Sequence, residues 1–367
     1  MQKRRILFIT PLPPPVHGSA MVSQYIKENE ELNENFICDF VNLSTSRNID
    51  EIGKKSLMKY LRFIGAYFIT FWKLLTHRYA LCYLAITCYG IGFLKDAPFV
   101  LLCKLFRRRV MIHQHNKGMS SCVSKNPYKW LLPLVYKNTK VILLSWYLYP
   151  DIEQVVKKEQ IIICPNGIPE TLEKDLCFEH SNNVPQLLFL SNLIPSKGVY
   201  TLLDACKVLK EKGYNLVCNY VGGESKEITK DVFARAVEER GLTGIAIYHG
   251  PKYGNDKKAF FTGSDIFVFP TFYHNECFPL VILEAMQNKL PVISTDEGGI
   301  PDIIENGING FVCKRNDANS TADAIEQLLN NKDKAIQMGQ NGYRLFKEKF
   351  TLEQFNRSII QIVKENI

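Results

Sequence analysis

The stretch that decides how this chain folds is Ile266–Met286, which reads IFVFPTFYHNECFPLVILEAM. It begins with an apolar run closed by a proline, which predicts a buried strand over Ile266–Pro270. A second apolar run begins at Pro279 and predicts a buried helix over Leu280–Asn288, with the proline at the first helical position. A strand, a loop and a helix in this order form the unit from which doubly wound α/β sheets are built.

Similar apolar runs recur along the chain and predict further strands. In the first half they lie at Ile6–Thr10, Ala80–Thr87, Val110–Ile112, Val141–Leu144 and Ile161–Cys164. In the second half they lie at Gln186–Leu190, Asn215–Val221, Ile245–His249 and Pro291–Ser294, with helices at Leu202–Lys212, Ile228–Arg240 and Thr321–Asn330. Because strands alternate with helices, we expect an α/β protein of two Rossmann-like, doubly wound domains that face a central cleft.

The composition is that of a globular protein. Of the 367 residues, 46% are hydrophobic and 22% are charged, and the net charge is +8. Zinc-ligand spacings and RNA-binding signatures are absent from the sequence, so we expect no nucleic-acid partner. Eleven cysteines without a CxxC pair favour reduced thiols and a cytoplasmic protein. The apolar run after Arg5 is too short for the core of a signal peptide.

Two carboxylates of the opening stretch, Glu276 and Glu284, lie eight residues apart on an apolar segment. A buried carboxylate is costly unless something pairs with it, and the hydroxyl groups of a sugar are suitable partners. The helix start between them attracts phosphate, and Glu276 follows the end of a strand, where α/β sheets bind ligands. The combination indicates a nucleotide-sugar site, although two glutamates alone favour a helix with one capping and one solvated carboxylate.

A lysine in another strand–loop–helix unit extends this pattern. Lys197 lies in the loop after the strand Gln186–Leu190 and is a point charge suited to a phosphate. Taken alone, it fits a surface lysine at a helix start better. In the first domain, Gly18 lies in the loop after the first strand, where it either lets backbone approach a ligand closely or only serves a turn.

His113 and His115 follow a strand of the first domain and share one face. His115 is the candidate for donating a hydrogen bond to a sugar hydroxyl, and a pair of buried structural histidines is the alternative. No third ligand accompanies them at metal-binding spacing, and the chain has no Asp-x-Asp motif. We therefore expect neither a metal nor a cofactor beside the nucleotide sugar.

Residues 54–77 combine an apolar stripe with basic residues. The apolar positions, at helical spacings of three and four, are Leu57, Leu61, Ile64, Phe68, Phe71 and Leu75, and the basic ones are Lys55, Lys59, Arg62 and Lys73. The longest uncharged run, Phe63–Trp72, is shorter than the roughly 20 residues that a bilayer-spanning helix needs. A helix that lies in a membrane interface and a core helix with a solvated rim fit this pattern equally well.

Taken in order, these motifs resemble the GT-B-fold glycosyltransferases of family GT4, the retaining group with a Glu-x7-Glu motif. The resemblance covers nearly the whole chain and is strongest from Gln186 to Gly310. The segments that carry it are Pro165-Asn166-Gly167-Ile168, Lys197-Gly198, Val221-Gly222-Gly223, Gly263–Pro270, Glu276–Glu284, Gly298-Gly299-Ile300-Pro301 and Asn306–Gly310.

The resemblance implies a role for each matching residue. Glu276 would contact the donor sugar, Glu284 the ribose and Lys197 the diphosphate. His115 matches the family's histidine after a first-domain strand, so the implied catalytic residues are His115, Lys197 and Glu276. The base would lie near Pro251. The implied donor-binding residues are Gly18, Asn192, Lys197, Gly222, Pro251, Lys252, Glu276, Cys277, Phe278, Pro279, Leu280 and Glu284.

The resemblance also implies how the domains divide the work. Residues 1–170 would form the acceptor-side domain, 171–184 a linker, and 185–348 the donor-binding domain. Residues 349–367 would form a helix that crosses back to the first domain. The chain departs from the family at Asn192, where an arginine is usual. Asparagine cannot supply that positive charge.

We therefore expect a retaining, metal-independent hexosyltransferase that uses a nucleotide-diphosphate sugar. The expected acceptor is a lipid-linked glycan for a surface polysaccharide such as lipopolysaccharide or capsule. The expected location is cytoplasmic and peripheral at the inner face of the plasma membrane, which residues 54–77 would contact. A GT-B sugar-nucleotide epimerase and a catalytically silent nucleotide-sugar-binding module are the alternatives.

Overall fold

The computed structural model describes residues 3–14, 18–44, 57–170 and 184–367. The chain forms two compact units. The N-terminal unit comprises Met1–Gly167 and Leu352–Ile367, and the C-terminal unit comprises Ile168–Thr351. The linker expected at 171–184 lies outside the described residues, apart from Val184.

Six parallel strands form the sheet of the N-terminal unit. They are β1 (Arg5–Thr10), β2 (Ile37–Asn42), β3 (Leu81–Leu84), β4 (Val110–Gln114), β5 (Lys140–Leu143) and β6 (Ile161–Ile163), in the order β2-β1-β3-β4-β5-β6. Residues Ile6, Leu7, Phe8 and Ile9 of β1 are fully inaccessible to solvent. Strands covered on both faces have continuous apolar sequences, which is why this one is recognisable.

Helices cover both faces of this sheet. They are α1 (Gly18–Glu28), α2 (Glu30–Asn35), α3 (Leu57–Thr76), α4 (Gly90–Leu105) and α5 (Tyr128–Tyr136). The connections from β2 to β3, β3 to β4 and β4 to β5 run in the same direction along the sheet. Since such crossovers are right-handed, α3, α4 and α5 lie on one face. Helix α3 packs against α4, and α4 packs against α5.

The C-terminal unit has the same architecture. Its strands are β7 (Gln186–Leu190), β8 (Val217–Val221), β9 (Ala246–Tyr248), β10 (Ile266–Phe269), β11 (Val292–Thr295) and β12 (Gly310–Cys313), all parallel, in the order β12-β11-β10-β7-β8-β9. Its helices are α6 (Val199–Glu211), α7 (Lys230–Glu239), α8 (Gly254–Thr262), α9 (Leu280–Gln287), α10 (Ala318–Leu329) and α11 (Lys332–Lys349).

The last helix, α12 (Leu352–Glu365), belongs to the N-terminal unit. It buries one apolar face, which includes Phe355, Ile359 and Val363. It packs against α1, and the ring of Phe355 lies 6.4 Å from that of His113, with an angle of 26° between the ring planes.

The predicted fold class is confirmed, and the two strands that the sequence patterns miss lie at sheet edges. Strands β2 and β12 are both edge strands. Strand β2 is half exposed and has Asp39 at its middle, while β12 begins with Gly310. Because an edge strand buries less surface, neither carries the continuous apolar run that marks a central strand.

Helix α3 directs its wide apolar stripe toward solvent and not toward the core. It packs through Ala66, Thr70 and Leu74. The large apolar stripe faces solvent instead, with exposures between 39% and 76% at Leu57, Leu61, Ile64, Phe68, Phe71 and Leu75. The interpretation of this segment as a core helix with a solvated rim is therefore wrong. Residues 54–56, including Lys55, lie outside the described residues, and no helix within the described ranges is long and apolar enough to cross a membrane.

Candidate functional site

The predicted donor-binding residues of the C-terminal unit lie in loops at one edge of its sheet. Because all six strands are parallel, the loops after β7, β8, β9 and β10 begin at the same edge. In that order they carry Asn192 with Lys197, then Gly222, then Pro251 with Lys252, then Glu276. This is the edge at which α/β sheets bind ligands.

Lys197 and Glu276 form an ion pair at this edge. The distance from Lys197 Nζ to Glu276 Oε2 is 2.5 Å, and only 15% and 10% of the two side chains are exposed. The ammonium also lies over the ring of Tyr273, 4.4 Å from its centroid. A pair with so little exposure is screened by solvent less than a surface pair. The structure therefore brings together two predicted residues that are 79 positions apart in sequence.

Gly198 makes this pairing possible. It has a φ of +89°, and a Cβ at this position would lie 2.3 Å from the carbonyl oxygen of Pro270. Next to it, the N–H of Phe272 donates to the carbonyl oxygen of Ser196 at 2.8 Å. The loop after β7 is thus held directly against the loop after β10, and Lys197 reaches Glu276 as a result.

A second glycine turn fixes Glu276 from the other side. Gly298, in the loop after β11, has a φ of +59°, and a Cβ there would lie 2.3 Å from the carbonyl oxygen of Glu276. The N–H of Gly299 donates to the carbonyl oxygen of Cys277 at 2.6 Å. Only glycine tolerates both the backbone conformation and the close approach at position 298. The backbone of the glutamate is therefore clamped by the Gly298-Gly299 turn.

Asn192 and Gly222 join the loops after β7 and β8. Gly222 has a φ of +153°, and a Cβ on it would lie 1.9 Å from the carbonyl oxygen of Ser191. The side-chain oxygen of Asn192 accepts a hydrogen bond from the N–H of Gly223 at 3.1 Å. Asn192 itself is exposed. It therefore acts here as a neutral loop brace, in the position where the resemblance leads one to expect an arginine.

The start of α9 follows Glu276 directly. Cys277 and Phe278 are buried, and Pro279 is the capping residue just before the helix rather than its first helical residue. The first N–H groups of a helix, here those of Leu280 and Val281, have no carbonyl partner within the helix, whereas the N–H of Ile282 donates to the carbonyl oxygen of Pro279 at 3.1 Å. Together with the helix dipole they favour an anion near Lys197 and Glu276.

Glu284 has a partner that the sequence patterns miss. Its Oε1 lies 2.5 Å from the Nζ of Lys257, and the two side chains are 24% and 30% exposed. Lys257 lies on α8, whose sequence GNDKKAFFT is too polar and short to stand out as a helix. The side chain of Glu284 is therefore half-buried and paired, as a carboxylate in an apolar helix has to be.

The loop after β9 carries the residues implied to lie near the base. Pro251 is exposed and Lys252 is half-buried. The carbonyl oxygen of Gly250 accepts from the N–H of Gly222 at 3.0 Å, which ties this loop to the one after β8. Burial, and secondarily the charge of Lys252, lowers the pKa of His249. That imidazole is 2.8 Å from the side-chain oxygen of Asn219 through its Nε2.

The two predicted residues of the N-terminal unit lie at the carboxyl edge of its own sheet. His115 directly follows β4 and is half-buried, with its ring 4.0 Å from that of His113. Gly18 is the first residue of α1 rather than a loop residue, and a Cβ on it would meet nothing within 4 Å. Gly18 therefore has no steric requirement within the described protein.

His113 is the structural member of the histidine pair. It is fully inaccessible, and its Nδ1 shares a hydrogen bond with the hydroxyl of Tyr83. Burial, and then the charge of His115, lowers the pKa of His113 well below its usual value. The imidazole is therefore held neutral under His115. Only the strand alternation of Tyr83 and His113 on adjacent strands hints at this contact in the sequence.

An acidic pair and an arginine beside the clamp are further residues that sequence reasoning misses. Glu297 is 3% exposed and lies next to Gly298, and its Oε2 is 2.7 Å from Nη1 of Arg315. The Nε of Arg315 is 2.6 Å from Asp296 Oδ1. Arg315 follows β12, a strand that the sequence patterns do not predict. In the sequence, this cluster is indicated only by Asp296 and Glu297, which directly precede Gly298 and Gly299.

Metal-ligating side chains do not gather in the described part of the chain: no group of three or more His, Cys, Asp or Glu is placed to hold a metal ion. Metal independence stays a prediction from the sequence.

Comparisons with known proteins point to one family for the C-terminal unit. Residues 177–345 match the family model of glycosyl transferases group 1. The capsular polysaccharide biosynthesis glycosyltransferase CapM of Staphylococcus aureus is 29% identical over 44% of this chain and 41% of its own length. The D-inositol 3-phosphate glycosyltransferase of Corynebacterium glutamicum is 30% identical over 42% of this chain and 37% of its own length. The matched segments thus span about two fifths of these relatives.

Solved structures match the chain over nearly its full length. The Anabaena protein Alr3699/HepE in complex with UDP gives a TM-score of 0.77 at 16% identity, covering 99% of this chain and 100% of that one. A glycosyltransferase from Rickettsia africae gives 0.77 at 18% identity, covering 100% and 99%. At these identities the likeness shows the fold. The chain thus has the GT-B fold of two Rossmann-like units, and its residues 177–345 resemble the glycosyl transferases group 1 family in sequence.

Proposed function

We propose that the protein is a retaining, metal-independent glycosyltransferase that moves a hexose-type sugar from a nucleotide-diphosphate sugar to an acceptor glycan. The acceptor is a lipid-linked glycan of a surface polysaccharide, and the protein works at the inner face of the plasma membrane. The names of its relatives support this proposal, since CapM acts in capsular polysaccharide biosynthesis and another relative is an O-antigen chain mannosyltransferase of Escherichia coli. The UDP complex of Alr3699/HepE supports a nucleotide-sugar donor.

The observation that carries the proposal is the ion pair of Lys197 and Glu276 beside the start of α9. The distance of 2.5 Å in a pocket of low exposure gives Lys197 a carboxylate partner. A diphosphate carries more negative charge than a carboxylate and would also reach the N–H groups at the start of α9. We therefore infer that the donor replaces Glu276 as the partner of Lys197. The freed carboxylate would accept hydrogen bonds from the sugar hydroxyls.

The family resemblance implies a role for each of the other candidate residues. Glu284, one turn further into α9, would accept from the ribose, with Lys257 orienting it through the 2.5 Å pair. Pro251 and Lys252 follow β9 and would lie beside the base. The family resemblance also implies that His115, at the end of β4, donates to a sugar hydroxyl. During transfer, negative charge would develop on the departing diphosphate.

Stabilising that leaving group depends on few positive charges. Asn192, where the family usually has an arginine, is neutral and holds the N–H of Gly223 at 3.1 Å. Lys197 and the dipole of α9 therefore carry most of the stabilisation. Preorganised groups of this kind commonly contribute factors of about 100 to 1,000 in turnover.

Donor turnover in matched variants tests the proposal. A panel of nucleoside diphosphate sugars is screened by thermal shift, because a ligand at 100 times its dissociation constant stabilises a protein by about 2.7 kcal/mol. With the best donor, Lys197→Ala and Glu276→Ala should lower turnover about 100-fold or more. Lys212→Ala is the control, since Lys212 forms an equally short pair with Glu326 on the surface of the same unit. Equal activity of Lys197→Ala and the control contradicts the proposed site.

Product analysis separates the proposal from an epimerase and from a silent binding module. NMR of the product should show the anomeric configuration of the donor, in a reaction that needs acceptor and continues in EDTA. Conversion of the nucleotide sugar to its epimer without acceptor would instead identify an epimerase. Donor binding without any turnover over the acceptor panel would identify a binding module.

A further inference from the structure

The outer face of α3 is a large apolar surface on the N-terminal unit. We define it by the side chains of Leu57, Met58, Tyr60, Leu61, Ile64, Phe68, Ile69, Phe71, Trp72 and Leu75, each between 39% and 76% exposed. Soluble monomers rarely expose contiguous apolar patches of this kind, and those that do usually bind a partner or a membrane there. Nothing in the donor site uses this helix. The surface therefore needs an occupant of its own.

The charge around this face is one-sided. Residues 57–140, which include α3, α4 and α5, contain nine lysines and five arginines but a single carboxylate, Asp96. Asp96 is buried, with 4% exposure, so it contributes little to the surface. Exposed cations such as Lys125, Lys129 and Lys137 lie on or beside α5, in the same helical layer as α3. An occupant that suits this region has to be both apolar and negatively charged.

A second copy of the chain does not meet this requirement. In a two-fold dimer the same surface meets itself, so the basic layer of one copy would face that of the other. Like charges across an interface are unfavourable. A bilayer with anionic headgroups provides both an apolar interior for the stripe and negative charge for the cations.

We propose that the outer face of α3, with the basic side chains of α5 in the same helical layer, is a membrane-contact surface for anionic lipid. Its aromatic residues fit this role, because Tyr60, Trp72 and Trp130 have amphipathic rings and exposures of 58%, 64% and 68%. Such rings favour the headgroup level of a bilayer. The ammonium of Lys129 lies 5.6 Å from the ring of Trp130. The use of this surface to reach a lipid-linked acceptor rests on the proposed function, but the surface itself does not.

Vesicle flotation with the full chain tests the surface directly. The protein should float with vesicles of phosphatidylglycerol and phosphatidylcholine and much less with phosphatidylcholine alone. The double variant Phe68→Ser/Trp72→Ser should lose at least tenfold in partitioning. Its control is Ile336→Ser, an apolar residue of the C-terminal unit with a similar exposure of 58%. Because all three side chains are exposed, none of these substitutions opens a cavity in the core.

Charge reversal provides the second arm. Lys129→Glu/Lys137→Glu should weaken binding to anionic vesicles about 30-fold or more and flatten its dependence on salt, since interfacial lysines contribute about 1 kcal/mol each and 1.4 kcal/mol is a factor of ten. Lys332→Glu, an exposed lysine at the start of α11, is the matched control and should leave flotation unchanged.

Tryptophan fluorescence places the contact on α3. The chain has three tryptophans, so Trp130→Phe/Trp146→Phe leaves Trp72 as the single reporter. Its emission should shift to the blue on anionic vesicles and be quenched by brominated lipid. Unchanged Trp72 emission or absent flotation would overturn the proposal. It would also be overturned if Phe68→Ser/Trp72→Ser disrupted a dimer but still floated with the vesicles. Donor binding in solution is measured on the same variants and should be unaffected, so a failed membrane test leaves the proposed function separately testable.

Discussion

Lys197 Nζ and Glu276 Oε2 lie 2.5 Å apart at the carboxyl edge of the C-terminal sheet, and both side chains are mostly buried. The candidate site thus contains its own counter-ion. Removing one member of a buried ion pair leaves the other charge uncompensated. We therefore propose that Lys197 exchanges Glu276 for a group more negative than a carboxylate, the diphosphate.

Gly198 should be essential for the geometry of the pair. Gly198→Ala places a Cβ 2.3 Å from the carbonyl oxygen of Pro270 at a φ of +89°. We expect the free energy of unfolding to fall by about 3 kcal/mol and donor turnover to fall with it. Gly213→Ala is the control, because Gly213 has the same φ but open space around it. Gly213→Ala should lower the free energy of unfolding by about 1 kcal/mol, because alanine is strained in the left-handed conformation. Equal melting temperatures for the two variants would show that the loop contact with Pro270 is unimportant.

The ring of Tyr273 should contribute to donor affinity through Lys197. The ammonium lies 4.4 Å from the ring centroid, a contact that holds it in place and is worth about 0.5 to 2 kcal/mol. Tyr273→Ala should therefore weaken donor binding by a factor of about 2 to 30, whereas Tyr273→Phe keeps the ring and should bind nearly as the parent does. Isothermal titration of both variants checks this. A phenylalanine variant as weak as the alanine variant would assign the effect to the hydroxyl instead.

Asn192→Arg should strengthen donor binding. The side chain is exposed in the loop after β7 that also carries Lys197, and it braces the N–H of Gly223 at 3.1 Å. An arginine there adds a positive charge for the diphosphate, and a gain of 1.4 kcal/mol is a tenfold change in affinity. Asn192→Ala removes the brace without adding charge and should bind slightly more weakly than the parent. If the arginine and alanine variants bind alike, position 192 does not face the diphosphate.

His113 should make the N-terminal unit sensitive to acid. Burial, and then the charge of His115, lowers the pKa of His113 in the folded protein, while in the unfolded chain a histidine titrates near pH 6.5. Below that pH His113 is protonated in the unfolded state but not in the folded state. The free energy of unfolding therefore falls as the pH falls, by up to about 1.4 kcal/mol per pH unit. Unfolding followed by tryptophan fluorescence reports on this unit, since Trp72, Trp130 and Trp146 all lie in it.

The control for this acid sensitivity is a neutral replacement of the same imidazole. His113→Asn should unfold more easily at pH 8, because it loses packing, but should show a flatter dependence on pH between 5 and 7. His274→Asn, an exposed histidine of the C-terminal unit, should keep the parent's slope. An unchanged slope in His113→Asn would assign the acid sensitivity to other groups.

The sequence predicts the fold class because central parallel strands are buried on both faces and carry unbroken apolar runs. It does not reveal that Lys197 and Glu276 pair, since contact between loops 79 residues apart depends on the backbone turn at Gly198. The partner of Glu284 stays hidden for a similar reason. Lys257 lies on a short polar helix, which has no apolar stripe from which a helix could be predicted.

The apolar stripe of α3 illustrates the opposite limit. Its spacing correctly predicts a helix, but periodicity shows only that one face is apolar and not which way that face points. The packing of Ala66, Thr70 and Leu74 against the unit decides the orientation. Spacing alone does not distinguish a helix that buries this narrow face from one that buries its wide apolar stripe.

The exchange of partners at Lys197 is tested most directly by titrating a nucleoside diphosphate that carries no sugar. We predict opposite effects from the two halves of the pair. Lys197→Ala should bind the nucleoside diphosphate at least tenfold more weakly, because the diphosphate loses its cation. Glu276→Gln should bind it as tightly as the parent or more tightly, because the competing carboxylate is gone, while binding the corresponding nucleotide sugar more weakly. Equal weakening of nucleoside diphosphate binding in both variants, or no change in either, would contradict the exchange.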